Sequence, residues 1–298
     1  MWDTGRAGRL VTLPLLVLFA HQGARGDETY TAAVEKWRAE REAGLRAEGG
    51  WLSVAGLFWL EAGTHSLGTD RANAIVLPPG SAPARVGVVE LHDGKVVARL
   101  RPGVAATLGG QPVTSVELRP NGPDVLALGR LTLQVIERGG RLGMRMKDRE
   151  APTRLAFKGL RWFPVRESCR VTARFEPAPP GTTIAIPNVL GQVNDLPSPG
   201  RAVFQWQGRE LSLEPVLEEP DAKELFFIFR DETSAKETYG AGRFLYSEMP
   251  KDGQVVLDFN KAYSPPCAFT DFATCPLPPP QNRLPVRIEA GEMFEGHH

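Results

Sequence analysis

The chain has 298 residues, long enough for two domains or for one large β domain. Its hydrophobic fraction of 42% and its charged fraction of 23% are ordinary for a soluble globular protein. Lys plus Arg and Asp plus Glu are balanced at 35 each, so the composition indicates neither a nucleic-acid-binding surface nor an affinity for anionic membranes.

The first 26 residues have the pattern of a secretory signal peptide. Arg6 and Arg9 precede an apolar run at residues 10–20, and the small residues Ala24 and Gly26 stand where a signal peptidase reads the chain. As an anchor, the run is too short to cross about 30 Å of hydrocarbon. We therefore expect cleavage after Gly26 and an exported protein, periplasmic or secreted, with no integral membrane segment in the mature chain.

Residues 27–48 are predicted to form an amphipathic helix. Apolar and aromatic side chains recur at helical spacing from Tyr30 to Leu45, and the residues between them are mostly charged. The pair Gly49-Gly50 ends the pattern. We expect one face of this helix to lie on the core.

Residues 49–147 are predicted to form an antiparallel β-sandwich, because short apolar runs alternate with turn residues throughout. The order of HSLG, NAIVLP and LALGRLTLQV resembles a forkhead-associated-type sandwich, whose end loops bind phosphothreonine. Thr69 follows Gly68 where that fold has an arginine, and the histidine expected after Ser81 is missing. We therefore expect this architecture to serve as a scaffold.

Residues 148–298 are predicted to form a second β domain, a barrel or a sandwich. A hairpin turn is expected at Gln207-Gly208. The run Leu225–Phe229 has no polar alternation, which is typical of a strand covered on both faces. Further strands are predicted at 240–246, 255–260 and 284–289. The predicted fold class is therefore mainly β, with one N-terminal helix.

Four segments carry a resemblance to a known family. They are GWLSVAGLFWLEAGTHSLG, NVLGQ, ELFFIFRDETSAKETYGAGRFLY and DFNKAYSPPCAFTDFATCPLPPPQNRLPVRIEAGE. The mature chain resembles, over most of its length, a bacterial family known as domain of unknown function 1684 (DUF1684). The resemblance implies no activity, and it directs attention to the C-terminal half.

The candidate site is predicted between Lys236 and Glu292, where acidic, basic, aromatic, amide and thiol side chains are concentrated. Strand periodicity places Glu237 and Arg243 on one side, and Asp258 or Asn260 is expected opposite Arg243 on the neighbouring strand. One interpretation is a buried polar network that closes the end of a barrel. The other is a ligand pocket formed by Glu237, Tyr239, Arg243, Asp258, Asn260, Tyr263, Asn282 and Arg283.

The usual catalytic and metal-binding motifs are missing from the sequence. It has no Gly-x-Ser-x-Gly elbow, no phosphate-binding loop and no His-Glu-x-x-His motif, and the mature body contains only His65 and His92. We expect no metal and no cofactor. The preferred hypothesis is binding of an unknown small polar or anionic molecule. The alternative is a hydrolase with Glu237 and Asp258 as acid and base and Arg243 stabilising negative charge.

Cys267 and Cys275 are predicted to form a disulfide. They lie close together in a proline-rich loop, and export would place that loop in an oxidising compartment. The bridge would hold Asn282 and Arg283 beside Asp258 and Tyr263. The alternative is a pair of buried thiols packed against phenylalanines.

Overall fold

The computed structural model describes residues 22–294 and residue 296, with side chains described from residue 29 onward. Helix α1 (Gln22–Arg46) begins and ends earlier than the predicted residues 27–48. The predicted signal peptide lies outside the described residues except for 22–26, which open this helix. Within the described part, no helix has the length and apolarity needed to cross a membrane.

Residues 54–148 form two sheets that pack face to face. One sheet has the strand order β1-β11-β10-β9-β6-β7 and the other has the order β3-β2-β4-β5-β8. All neighbours in these sheets are antiparallel except β2 and β3. The strands are β1 (Val54–Trp59), β2 (Gly63–Gly68), β3 (Ile75–Val76), β4 (Gly87–His92), β5 (Lys95–Leu100), β6 (Thr107–Leu108), β7 (Gln111–Pro112), β8 (Ser115–Glu117), β9 (Leu126–Leu128), β10 (Leu131–Arg138) and β11 (Arg141–Asp148).

Alternating burial along the strands builds the core of this sandwich. In β10, Leu131, Leu133 and Val135 are buried while Thr132 and Gln134 are partly exposed. Side chains two apart lie on the same face of a strand, so the sequence pattern places this apolar row against the facing sheet. The antiparallel sandwich predicted from the turn spacing is confirmed.

The second half contains several smaller antiparallel sheets. The largest has the order β17-β16-β13-β20, and β18 pairs with β19, β14 with β15 and β12 with β21. A short helix, α2 (Pro152–Leu155), precedes them. The strands are β12 (Arg161–Trp162), β13 (Arg170–Pro177), β14 (Thr183–Pro187), β15 (Val193–Pro197), β16 (Gly200–Trp206), β17 (Arg209–Leu213), β18 (Glu224–Phe229), β19 (Arg243–Glu248), β20 (Gln254–Asp258) and β21 (Glu292–Met293).

Two local predictions for this half are confirmed. Gln207 and Gly208 have φ angles of 50° and 78° and join β16 to β17, which is the backbone of a type I′ hairpin turn. Strand β18 is buried on both faces, because Phe227 and Phe229 belong to one apolar cluster while Phe226 and Ile228 belong to another. A strand between two cores has no solvent face, so polar residues do not alternate along it.

The predicted strand at 284–289 is wrong. Pro285 removes one backbone donor from this segment, and other donors satisfy its carbonyls without a strand ladder. The indole of Trp206 donates to the carbonyl of Arg287 at 3.1 Å, and Arg209 donates to that of Pro285 at 2.8 Å. The strand predicted at 240–246 begins at Arg243, after a turn in which Gly242 has a φ of 122°.

Candidate functional site

Helix α1 packs on the C-terminal half of the chain. The Tyr30 hydroxyl donates to Asp258 Oδ1 at 2.7 Å, and Arg38 donates to the carbonyl of Phe163 at 3.0 Å. The ring of Trp37 meets that of Trp162 edge to face, with centroids 5.8 Å apart. The helix therefore forms one side of any site on this face of the β domain.

A cleft of about 870 Å³ lies between the helix and strands β13, β19 and β20; we refer to it as the helix cleft. Its volume is in the range of small-molecule sites. Its lining is polar and aromatic and carries both signs of charge. The lining includes Trp37, Glu40, Arg41, Arg170, Thr172, Glu224, Tyr246, Ser247, Glu248, Lys251, Asp252, Asp258, Lys261 and Tyr263.

Two parallel aromatic rings form part of the cleft wall. Tyr246 and Tyr263 have centroids 6.4 Å apart and planes 13° apart, and Phe226 stacks behind Tyr246 at 4.8 Å. The Tyr246 hydroxyl donates to Glu218 Oε2 at 2.6 Å. Burial raises the pKa of Tyr246 above its usual range and the pKa of Tyr263 to about 12. Both phenols therefore stay neutral at physiological pH.

Arg41 is already fully engaged within the protein. Its guanidinium lies 4.4 Å from the centroid of the Tyr263 ring, donates to the carbonyl of Ser264 at 2.9 Å and contacts Glu292 at 3.3 Å. Burial raises the pKa of the Glu292 carboxyl, and the charge of Arg41 opposes that shift. This group joins the helix to the β domain and leaves little of Arg41 for a ligand.

A second group of charged residues lies beside the Arg41 group in the helix cleft. Lys261 Nζ is 3.7 Å from Asp258 Oδ2, and Arg170 stands directly opposite Asp258 in the pairing of β13 with β20. Asn260 is fully buried and donates to both the Tyr30 hydroxyl and Asp258, at 2.9 Å and 3.2 Å. Arg170 is exposed. Within the described residues, its one cation–π contact is with Tyr30, whose ring centroid lies 5.8 Å from the guanidinium. Lys261 is therefore paired with Asp258, while Arg170 stands opposite them without an ion pair among the described residues.

Three of the residues predicted from the sequence meet at this place. Asp258 and Tyr263 line the helix cleft, and Asn260 supports Asp258 from the interior. The others occupy different environments in the same half of the chain.

Arg243 does not lie opposite Asp258 as expected. It is 1% exposed and forms a buried ion pair with Asp231. It also donates to the carbonyls of Ile288 and Ala290, so it closes the irregular segment before β21. Arg243 therefore forms a carboxylate–guanidinium pair with Asp231 and not with Asp258. This pair belongs to a buried network that holds the fold.

Glu237 and Tyr239 also lie outside the helix cleft. Glu237 pairs with Arg287 at 2.7 Å and lines a separate hollow. The Tyr239 hydroxyl donates to the carbonyl of Cys267 at 3.2 Å. Since Glu237 and Asp258 line different hollows, the structure does not bring together the predicted acid–base pair.

Asn282 and Arg283 are separated from Asp258 and Tyr263, contrary to the expected arrangement. Asn282 is 1% exposed, accepts from the backbone N–H of Glu214 at 2.8 Å and donates to the carbonyls of Glu214 and Ile228. It therefore ties three backbone groups together. Arg283 is exposed and does not line the helix cleft.

The three cysteines, Cys169, Cys267 and Cys275, are free thiols in the structure. The predicted partners Cys267 and Cys275 are neighbours, since the backbone N–H of Cys267 donates to Cys275 Sγ at 3.1 Å. Their proximity agrees with the sequence pattern, and their oxidation stays a prediction. Among the described residues, no three His, Cys, Asp or Glu side chains are grouped so that they would hold a metal ion.

Four residues that line the cleft were not expected there from the sequence: Trp37, Arg41, Arg170 and Tyr246. Trp37 and Arg41 are four residues apart in α1, so they share a helix face with Tyr30 and Val34. A buried helix face that carries an arginine and aromatic rings indicates a polar partner surface, which was a usable signal. Arg170 and Tyr246 stand in ordinary strands and gave no such signal.

Comparison with known proteins assigns part of this chain to a family. Residues 155–293 match the family described as "Protein of unknown function (DUF1684)". The match covers just under half of the chain, and we refer to residues 155–293 as the DUF1684 region. The DUF1684 region contains strands β12 to β21 and all of the helix cleft except the wall formed by α1. The match does not extend over residues 27–154, so the wider resemblance expected from the sequence is not confirmed.

Solved structures give more distant likenesses. An uncharacterised protein of Haloarcula marismortui, solved by NMR in solution, is 30% identical; the match covers 47% of this chain and 78% of that one, with a TM-score of 0.40. Two FHA domains are 15% identical and cover 30% of this chain, with TM-scores of 0.23. One comes from work on phosphothreonine-dependent interactions, and the other is the FhaA domain in complex with the intracellular domain of a second protein; 92% and 97% of their chains are covered.

FHA domains are thus among the structural neighbours, and at these scores none of the three structures indicates what this chain binds. No curated protein gives a significant match.

Proposed function

We propose that this protein is an exported binding protein that holds a small polar or anionic ligand in the helix cleft. The observation that carries this proposal is the exposed guanidinium of Arg170, which stands opposite the Asp258–Lys261 ion pair. Arg170 forms no ion pair within the described part of the chain, so its guanidinium is available to a ligand. Acidic side chains also line the cleft, among them Glu40, Glu224 and Asp252. An anionic group on a ligand would neutralise the Arg170 guanidinium and would accept hydrogen bonds from it.

The aromatic wall supports the same proposal. Tyr246 and Tyr263 stay neutral and line the cleft beside the charged group, while Phe226, Arg41 and the two rings themselves cover the ring faces. Aromatic side chains next to a few directed polar groups are the usual lining of small-molecule sites. The opposite charges along the hairpin, Glu248 and Lys251, already pair with each other at 2.6 Å, so we assign the anchoring role to Arg170.

Export is the second part of the proposal, and it is compatible with this site. Cleavage after Gly26 would leave intact every contact described above between α1 and the β domain, since the first of them is made by Tyr30. In an oxidising compartment, Cys267 and Cys275 are expected to be joined by a disulfide. Intact-mass measurement of protein recovered from the periplasm and the medium of an expressing cell tests export. A chain beginning at Asp27 is expected, and an uncleaved chain found with the cytosol would contradict it.

Binding is tested by a thermal-shift screen of small polar metabolites and glycans, followed by calorimetric titration of any compound that stabilises the protein. Mass analysis of the compound after incubation shows whether it is recovered intact. For a true cleft ligand, Arg170→Gln should weaken binding at least about tenfold, which corresponds to the loss of a charge-assisted hydrogen bond.

The matched control is Arg283→Gln, since Arg283 is also an exposed arginine of the DUF1684 region and lies outside the cleft. This variant should bind as the wild type does. Equal weakening in both variants would contradict the placement of the ligand in the helix cleft. Recovery of a cleaved compound would contradict simple binding, although Glu237 and Asp258 would not be the pair responsible.

A further inference from the structure

Two cysteines are held side by side where the DUF1684 region meets the sandwich. Cys267 lies in a single 3₁₀ turn (Pro266–Ala268) and is partly exposed, while Cys275 is 5% exposed. The backbone N–H of Cys267 donates to Cys275 Sγ at 3.1 Å. Prolines next to both residues fix their backbone, so the two sulfurs are kept together while they are reduced.

A buried cation that has no ion-pair partner among the described residues lies close to this pair. Arg145 of strand β11 is 8% exposed, and its guanidinium lies 5.1 Å from the centroid of the Trp51 ring. Its Nε makes no hydrogen bond, and the side chain forms no ion pair within the described part of the chain. Trp51 packs against the same apolar cluster as Cys267 and Cys275, which places this charge near the two sulfurs. A buried charge is unfavourable unless an opposite charge compensates it, and a thiolate would do so.

We propose that Cys267 and Cys275 form a reactive dithiol, in which Cys267 is the nucleophile and Arg145 is a positioning residue for its thiolate. Cys267 is assigned as the nucleophile because it is the less buried sulfur. The dithiol lies outside the helix cleft, so this proposal is independent of ligand binding.

The surrounding charges favour a thiolate at Cys267. The adjacent Cys275 thiol lowers the pKa of Cys267, and burial opposes this shift. The interaction with Cys267, together with burial, raises the pKa of Cys275, although the backbone N–H of Cys267, which donates to Cys275 Sγ, acts in the opposite direction. Arg145 favours the thiolate and Asp271 disfavours it, while the neutral phenol of Tyr239 donates to the carbonyl of Cys267. Cys275 therefore keeps its proton when Cys267 loses its own.

The reaction is exchange with a small disulfide such as oxidised glutathione. The Cys267 thiolate attacks one sulfur of the disulfide, the S–S bond breaks and a glutathione thiolate leaves. Cys275 then loses its proton to solvent and attacks the Cys267 sulfur of the mixed disulfide, which releases the second glutathione thiolate. The protein loses two electrons and two protons, and oxidised glutathione gains them as two glutathione molecules.

Alkylation of the reduced wild-type protein tests the assignment directly. Iodoacetamide is added for short times between pH 5 and pH 10, and peptide mapping measures the labelling of each cysteine. At pH 7, Cys267 should react at least about tenfold faster than Cys275 and Cys169, with a midpoint below the ordinary thiol value. Equal rates, or a midpoint for Cys267 at or above that value, would overturn the proposal.

Variants separate the two supporting groups. Cys275→Ala removes the hydrogen-bond donor and should move the midpoint of Cys267 upward, whereas Cys275→Ser keeps a hydroxyl donor and should restore much of the shift. Arg145→Met should also move the midpoint upward. Thermal unfolding shows whether each variant is folded. If a variant does not fold, the alkylation rates of the wild-type protein decide the proposal.

Equilibration with oxidised glutathione tests the exchange itself. The folded wild type should lose the mass of two hydrogen atoms and regain it with dithiothreitol, while Cys275→Ser should stop at a mixed disulfide on Cys267. A bridge that opens only after the protein unfolds would overturn the proposal, because it would be a structural disulfide. A failure to form any bridge would also overturn it.

Discussion

The two halves of the molecule differ in what their interiors contain. Within the sandwich, residues 54–148, the buried polar or charged side chains are Asp124, Arg145 and Asp148. The DUF1684 region buries many more, including Asp231, Arg243, Asp258, Asn260, Asn282 and Glu292. The sandwich satisfies its backbone through long strand ladders, as in the pairing of β10 with β11. The DUF1684 region has shorter sheets and uses side chains to satisfy irregular backbone.

This difference separates polar residues that hold the fold from those available to a ligand. Arg243 and Asn282 have the chemistry of ligand-binding residues, yet both are saturated by the backbone of their own domain. Arg170 and Lys261 face the helix cleft with fewer contacts. A polar-rich interior therefore points to a site only where its groups are incompletely paired.

The largest expected effect follows from Arg243→Met. It would leave the carboxylate of Asp231, whose side chain is 0% exposed, without its cation. We expect the free energy of unfolding to fall by about 3–5 kcal/mol, measured by urea denaturation. The double variant Arg243→Met with Asp231→Asn removes the uncompensated charge and should recover part of the loss. A loss below about 1 kcal/mol in the single variant would show that the Asp231 carboxylate reaches water.

Asn282→Ala should have the next largest effect. It would leave one backbone N–H and two carbonyls without their partner, at a cost of about 1–3 kcal/mol in the free energy of unfolding. Its exposed neighbour provides the control, since Arg283→Ala should change stability by less than about 0.5 kcal/mol. Equal losses in the two variants would contradict the structural role assigned to Asn282.

The fold was more predictable from the sequence than the site was. Turn residues and strand periodicity are local, so the sandwich, the hairpin at Gln207-Gly208 and the doubly buried strand β18 were all accessible. The segment 284–289 was mistaken for a strand because side chains distant in the sequence satisfy its carbonyls. The pairing of Arg243 with Asp231 depends on tertiary packing in the same way. Asp258, Asn260 and Tyr263 were found because they lie in one short segment.

Glu292→Gln should change the pH dependence of stability. Burial raises the folded-state pKa of Glu292, so the folded state binds this proton more tightly than the unfolded state does. The stabilising contribution is complete below the ordinary Glu value and is lost as pH rises through the higher folded value. Subtracting the unfolding free energies of the variant from those of the wild type should give a curve that falls with pH, by at most about 1.4 kcal/mol per unit. A flat or rising curve would contradict it.

The smallest expected effect is that of Arg145→Met, the same substitution as at Arg243 but made in the sandwich. Arg145 is also buried, but it pairs with no carboxylate of the described residues, and burial lowers the pKa of its guanidinium to about 10. Met retains most of the apolar stem and removes the cost of desolvating the charge. The lost contact with Trp51 costs about 1 kcal/mol, which offsets much of that gain.

We therefore expect urea denaturation of reduced Arg145→Met to give a free energy of unfolding within about 1 kcal/mol of the wild-type value. The reduced state matters, because a disulfide between Cys267 and Cys275 would add a separate contribution to stability. A loss as large as that of Arg243→Met would contradict this expectation, because it would mean that a negative group compensates Arg145 as strongly as Asp231 compensates Arg243. Repeating the measurement below the alkylation midpoint of Cys267, where its thiolate is protonated, would show whether that group is the thiolate, since only a loss due to the thiolate should shrink.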